Sequence, residues 1–300
     1  MSALVIGESL IDIVDAPGQP FRRTPGGGPL NVAIGLARLG VPTALLTCVG
    51  ADSDGDLLMS ALDGADVTFV GERIGATSTA LATLDDAGSA TYEFALDWDP
   101  RPINNVCIDD PLDALHIGSI GAFVAPGRDV VDQFLQERRA RLRSFDPNIR
   151  PALVGSPSAA RARVEYISQR VDVIKLSDED ASWLYPGVEM SDVISSLLAL
   201  GPELVALTRG ALGSIVSTHQ HRVEVPSPRV QVVDTIGAGD AYMSALLGAL
   251  ILNDAARLGL ANLGPGTLLD VGAMASRAAA FVVGRAGAVP PSFQQLQLGT

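Results

Sequence analysis

Lysine is almost missing from this 300-residue chain: Lys175 is the only one, and every other basic residue apart from three histidines is an arginine. No Gly-x-x-x-x-Gly-Lys-Ser/Thr segment occurs, which excludes a P-loop. The two cysteines, Cys48 and Cys107, make neither a disulfide framework nor a metal-ligand spacing, and read as buried thiols. The histidines, His116, His219 and His221, form no metal box. His219-Gln220-His221 falls between the apolar-alternating segments Ser214–Ser217 and Arg222–Val225 and reads as a hairpin turn. Long apolar runs are absent as well. The most apolar stretch, Ala241 to Leu252, is short of the ~20 residues that cross a bilayer, so no membrane span is expected. No basic region opens the chain; Met1 to Gly7 reads as a first buried strand followed by acids at Glu8 and Asp12, and a cytoplasmic location is expected. Positive charge is scarce, with 21 Lys+Arg against 34 Asp+Glu and a net charge of −13. That balance argues against nucleic-acid binding, and an anionic ligand would need local positive charge or a metal to enter its site.

What the chain does have is alternation. Short apolar runs rich in branched residues recur at Leu4–Ile6, Thr43–Val49, Ala114–Ile117, Val173–Leu176, Leu204–Leu207 and Ser214–Ser217. Helical stretches separate several of them: Asn31–Leu39, Gly55–Leu62, Val130–Arg143, Ser158–Arg170 and Asp192–Leu200. Strands that read apolar throughout are covered on both faces, so the pattern predicts an α/β fold with a mainly parallel central sheet flanked by helices. In such sheets ligands bind beyond the carboxyl ends of the strands. Two regions, 13–25 and 67–103, break the alternation with proline, glycine and exposed-strand patterns such as Thr77 to Leu84 and Ala90 to Leu96.

The chemistry concentrates in a few segments. Asp234-Thr-Ile-Gly-Ala-Gly-Asp240-Ala runs directly into the apolar stretch from Tyr242 to Leu252. The first N–H groups of a helix lack internal partners and carry partial positive charge, so they bind anions. Gly237, Ala238 and Gly239 leave those groups open to close approach. Asp240 then stands beside the bound anion, placed to take a proton from an attacking hydroxyl. Taken alone, Gly-x-Gly-Asp also describes an ordinary acidic helix cap. Gly26-Gly27-Gly28-Pro29-Leu30-Asn31 is a second glycine turn entering a helix, followed in order by Asp146-Pro-Asn148-Ile-Arg150-Pro, Thr208-Arg-Gly210-Ala-Leu-Gly213-Ser, and Gly284-Arg285-Ala-Gly287-Ala-Val-Pro-Pro.

In this order and over Gly7 to Pro291, the segments resemble the ribokinase-like (PfkB) family of sugar and nucleoside kinases, whose N-terminal Gly-Gly…Asn-x-Ala and C-terminal Asp-Thr-x-Gly-Ala-Gly-Asp signatures are both represented. Gly7-Glu-x-Leu-x-Asp12, Asp-Pro-Asn-x-Arg, Lys-x-Ser and Arg-x-Gly-Ala-x-Pro-Pro look most like bacterial fructokinases. The resemblance implies a single ribokinase-like domain over 1–300 with a small β lid formed by insertions at about 13–25 and 67–103. It also implies an ATP-dependent kinase with Mg²⁺, and K⁺ as a further cation. D-fructose phosphorylated at its primary hydroxyl is the first substrate, with 2-keto-3-deoxygluconate as the rival; an acidic sugar would want an arginine, and Arg22, Arg23 and Arg101 are available in the lid.

The site residues carried by the resemblance are as follows. Asp240 is the general base, and Gly237, Ala238 and Gly239 form the anion hole. Asp12, Gly26, Gly27 and Asn31 contact the sugar, with further contacts near His116-Ile-Gly-Ser119. Thr208, Gly210 and Gly213 form the nucleotide loop, and Asn148 stands near the phosphates. Asp180 is placed to act on Mg²⁺ through water, but Lys175-Leu-Ser177-Asp-Glu179-Asp180 departs from the family's Asn-x-x-Glu at both positions, and Glu179 competes for the role. Asp234, Ile236, Arg285 and Gly287 lie in the two loops that would hold a monovalent cation. The aromatic segment Thr91 to Pro100 covers the sugar as a lid or supports a homodimer. A family member without catalysis, acting as a sugar or nucleotide sensor, is the reading from another class.

Overall fold

The computed structural model describes residues 2–15, 20–73, 75–84, 90–100, 112–137, 140–253 and 259–298. A nine-stranded sheet forms the body. Within it β1 (Ala3–Ile6) is hydrogen-bonded in parallel to β4 (Thr43–Leu46) on one side and β8 (Leu112–Gly118) on the other. Beyond β4 lies β5 (Val67–Val70). Beyond β8 come β9 (Ala140–Asp146), β10 (Val173–Ser177) and β11 (Leu204–Thr208), all parallel, then the antiparallel edge pair β12 (Ser214–Ser217) and β13 (Arg222–Val225). The residues of β1, and all but the last of β10 and of β11, are buried, as expected for strands covered on both faces. The predicted mainly parallel α/β fold is what forms.

One expectation fails in a way that matters. The helix read over Val130–Arg143 stops at Glu137 as α3 (Gly127–Glu137), and Ala140–Asp146 is a central strand. Its arginines mimic a polar helix face, but the Arg143 side chain is only 16% exposed and is paired with Asp172 at 3.0 Å. Pairing against β8 and β10 outweighs local helix preference there.

Two glycine-led helices cross behind the strand ends. The α1 helix (Gly28–Arg38) starts from Gly27, whose φ of 106° suits only glycine, and α8 (Ala238–Leu252) starts from Gly237 at φ 77°. Every residue of α8 from Asp240 to Ile251 is buried. Gly35 makes the crossing possible: a Cβ there would fall 2.2 Å from Ser244 Oγ. The α9 helix (Pro265–Val283, 19 residues) packs along α8; it is long and apolar enough to cross a membrane by length and composition, and it buries Leu268, Val271, Ala275 and Val282 in the core.

A separate four-stranded sheet runs β3 (Arg22–Gly26), β2 (Leu10–Asp15), β6 (Thr79–Leu84), β7 (Ala90–Ala95). It starts at Leu10, earlier than the expected 13–25, and β5 lies inside the 67–103 range yet belongs to the large sheet. Asp52 fastens the small sheet's base, accepting from Gly55 N in α2 (Ser53–Asp63) at 2.8 Å and from Thr77 Oγ1 at 2.6 Å. Trp98, at the end of the aromatic segment expected to form the lid, is 4% exposed and donates to Gly121 O at 3.0 Å. Glycine at 121 and 127 makes the slot for its ring, since a Cβ at Gly127 would lie 1.8 Å from the indole nitrogen. Arg101 and Cys107 lie outside the described residues.

Candidate active site

A cleft of about 950 Å³ opens where the carboxyl ends of β8, β9, β10 and β11 meet the amino ends of α1 and α8, with the small sheet along its side. Register sets its floor: Gly118 pairs with Asp146 across β8 and β9, and Ser177 with Thr208 across β10 and β11. The loops after these strands therefore reach the cleft side by side.

At the centre, Asn31 Nδ2 in the first turns of α1 donates to Asp240 Oδ2 in α8 at 2.8 Å. Residues far apart in sequence are joined because both helices begin at the cleft. Asp240 is 8% exposed, and burial holds its carboxyl above the usual carboxylate range against the pull of Asn31, Lys175 and Arg150. A carboxylate raised in this way is a better proton acceptor near neutral pH. Gly237, Gly239 and Asp240 line the cleft, so the α8 amino end, whose first residue is Ala238, opens onto it.

Beneath this turn lies Lys175. Its Nζ donates to Asp146 Oδ2 at 2.8 Å, and the two side chains are 5% and 4% exposed. Burial alone would push the lysine's pKa down, but Asp146, Asp180 and Asp240 together hold it above its ordinary value. Burial pushes Asp146 up to about 6 despite the ion pair, and its Oδ1 is buried without a hydrogen-bond partner among the described residues. A Cβ at Gly239 would stand 3.0 Å from the Lys175 Nζ, so glycine lets the ammonium come up under the helix turn.

Asn148 adopts φ 41°, a left-handed conformation that asparagine tolerates, and Arg150 donates to its Oδ1 at 2.7 Å. Asp180 holds this turn: its Oδ1 accepts from Ile149 N at 2.9 Å and its Oδ2 from Ser177 N at 3.1 Å, while Ser177 Oγ accepts from Asp180 N. Glu179 lines the cleft and is exposed. Asp12 also lines the cleft, with burial, opposed by Arg150, pushing its carboxyl up to about 6. Gly26 packs on it; a Cβ there would meet Asp12 Oδ2 at 2.0 Å. Gly27, Thr208 and Gly210 are on the walls as well. Gly213 stands apart from the lining and closes the loop from below, where a Cβ would meet Val225 O at 2.1 Å. Asp234 joins the other two loops, accepting from Ile236 N at 3.0 Å and from Gly287 N at 3.1 Å. The Arg285 side chain turns away and stacks on Phe281.

Several cleft residues carried no expectation. Glu8, 2% exposed, accepts from Gly121 N at 2.7 Å, and burial pushes its carboxyl up to about 7. Gly28, rather than Gly26, faces the centre: a Cβ there would lie 2.9 Å from Asn148 Nδ2 and 3.3 Å from Asp240 Oδ1. Of the segment His116 to Ser119, Ser119 reaches the cleft, whereas His116 is buried in β8, bonded to Ser144 Oγ at 2.9 Å, with burial driving its pKa down to about 3. Neither Arg22 nor Arg23 lines the cleft, and Arg23 is paired with Asp54. The one signal that could have found Lys175 is its solitude: a lone lysine inside the apolar run of β10.

Comparison with known proteins shows the family and the fold. A model described as "pfkB family carbohydrate kinase" matches residues 2–295. A fructokinase of Rhizobium leguminosarum bv. trifolii is 32% identical over 264 residues, covering 84% of this chain and 80% of the relative. A crystal structure of Vibrio cholerae O395 fructokinase in its fructose-, ADP- and calcium-bound form superposes with a TM-score of 0.84 at 25% identity, covering 99% of this chain and 98% of that one. A double mutant of that enzyme with fructose, ADP and potassium gives 0.85 at 25% identity, covering 99% and 97%.

Proposed function

Because this chain belongs to the pfkB family of carbohydrate kinases and is an ATP-dependent sugar kinase, we propose that it phosphorylates D-fructose at a primary hydroxyl, with Asp240 as general base. The observation that carries the reading is the meeting of a buried, raised carboxyl with the open amino end of α8 on one cleft wall. Asp240 takes the hydroxyl proton, and the sugar oxygen forms the new bond to the γ-phosphorus as the bond to the β–γ bridging oxygen breaks and ADP leaves. The N–H groups at Gly237 and Gly239 are the donors for the charge gathered on the transferring group, whereas Ala238 N, expected to share the role, donates to Thr235 O at 3.3 Å. Asp12, Gly27 and Asn31 line the sugar's side of the cleft, with Gly26 backing Asp12, and Thr208, Gly210 and Gly213 form the nucleotide's loop.

The acidic mouth at Asp178, Glu179 and Asp180 fits a magnesium ion that keeps most of its waters, since phosphates would otherwise meet carboxylates there. Both Asp180 oxygens accept backbone N–H groups, which favours Glu179 as the residue reaching the ion's water and Asp180 as the residue holding the Asn148 turn. Bound magnesium neutralises charge on the phosphates. Asp234 draws the loops of Ile236, Arg285 and Gly287 together, and these two loops would hold K⁺. The small sheet serves as a lid, contributing Leu10, Asp12, Ala80 and Phe94 to the cleft. The enzyme is proposed to be cytoplasmic, with a homodimer formed through the lid.

Arg150 favours a second substrate. It lines the cleft and supplies the cation a 2-keto-3-deoxygluconate carboxylate would want. ADP release with Mg-ATP, measured on fructose, 2-keto-3-deoxygluconate, ribose, other hexoses and nucleosides with and without K⁺, separates the two. Fructose as the fastest substrate supports the proposal, and preference for the keto-acid replaces it. Silence on every sugar while ATP still binds would turn the reading toward a non-catalytic sensor.

A further inference from the structure

Ion pairs hold eight of the described arginines, and three of those without one stand together. Arg229, Arg277 and Arg285 form no ion pair among the described residues, and all three line a second cavity of about 450 Å³. Arg277 and Phe281 lie one turn apart on α9, Arg285 just follows its end, and Arg229 comes from the segment after β13. Gln295, on the last helix, α10 (Phe293–Leu298), closes the far side. The lining holds no aspartate or glutamate, in a chain with 34 of them.

Two details show how the positive charge is held. The Arg285 guanidinium lies 3.5 Å from the centre of the Phe281 ring and donates to Phe281 O at 2.8 Å, so its planar group is held against the ring at an exposed position. Arg277 Nε is buried and lacks a hydrogen-bond partner among the described residues. Leaving a buried cationic donor unpaired is costly, and a bound acceptor would relieve that cost. Three guanidinium groups on one cavity, with a polar amide opposite, match a phosphate dianion, which accepts paired N–H groups from planar forks.

We propose that this cavity is a second anion site that takes a phosphate-bearing small molecule, separate from the catalytic cleft. The two cavities share no lining residue. They are nonetheless joined through the backbone: Val230 packs where a Cβ of Gly284 would lie 2.8 Å from its Cγ2, and Val233 N and Asp234 N both donate to Val283 O. The segment that walls the new site is thus continuous with the loop bearing Gly237 to Asp240.

Inorganic pyrophosphate, titrated calorimetrically into the full chain without divalent ions, tests the assignment. The R229Q/R277Q variant is expected to bind one equivalent fewer than the wild type, with KM for ATP unchanged, and the lost equivalent weakens as salt is raised. R277K, which keeps the charge, retains the site. R229Q alone, at an exposed position, carries the same test should R277Q disturb folding, and is expected to weaken that equivalent about tenfold, roughly 1.4 kcal/mol. Equal stoichiometry and affinity in wild type and variants would overturn the proposal.

Discussion

Lys175 Nζ and Asp146 Oδ2 are 2.8 Å apart and both side chains are almost completely buried, so the only lysine of the chain serves a carboxylate inside the fold. Replacing it with methionine strands Asp146, whose Oδ1 already lacks a partner among the described residues. We predict that K175M destabilises the protein by about 3–5 kcal/mol, the usual cost of breaking a buried pair from one side, and that adding D146N recovers part of it. Urea unfolding of the two variants checks this, and equal stability of K175M and wild type would contradict it.

The catalytic rate should follow the ionisation of Asp240. As the proposed base, Asp240 would work only when deprotonated, so kcat/KM should rise with pH through its raised pKa. Arg150 pulls that pKa down, so R150Q is expected to move the acid limb to higher pH. A pH–rate profile with an unmoved limb would dissociate the two residues.

Stability should respond to pH through Glu8. Its carboxyl is pushed from 4.5 to about 7 in the folded chain, so between those values the folded state keeps a proton that the unfolded state has lost. Its contribution to stability is therefore intact below pH 4.5 and falls as pH rises through about 7, by about 3 kcal/mol at most. Melting temperatures at pH 5 and pH 7.5 should differ less in E8Q than in wild type; an identical difference would remove Glu8 as the source.

Gly28 should be intolerant of a single methyl group. A Cβ there meets Asn148 Nδ2 and Asp240 Oδ1, so G28A displaces the proposed base while leaving the core of α1 in place. A fall in kcat of about 10–100-fold with little loss of stability is expected, because small misplacements of reacting groups are costly. Steady-state kinetics beside a melting curve reads both quantities.

How far the sequence carried the reading differs by residue. The turn from Asp234 to Asp240 was legible because glycine, acid and apolar helix are contiguous there, and the strands around β1 were legible because their residues are apolar without interruption. β9 was not, since Arg141 and Arg143 hide a strand whose place is set by its neighbours' hydrogen bonds. Glu8, Arg150 and Gly28 escaped for a related reason. Their importance comes from what stands opposite them, Gly121, Asn148 and Asp240, and those juxtapositions exist only after the chain has folded. Nothing local announces the glycine slot that buries Trp98.

The most direct test of the account is Asp240→Asn, assayed for both sugar binding and turnover. Fructose binding close to wild type is expected, with a kcat lower by roughly 10²–10⁴-fold, the range for loss of a general base. Turnover within a few-fold of wild type, with the variant folded and saturated, would contradict it.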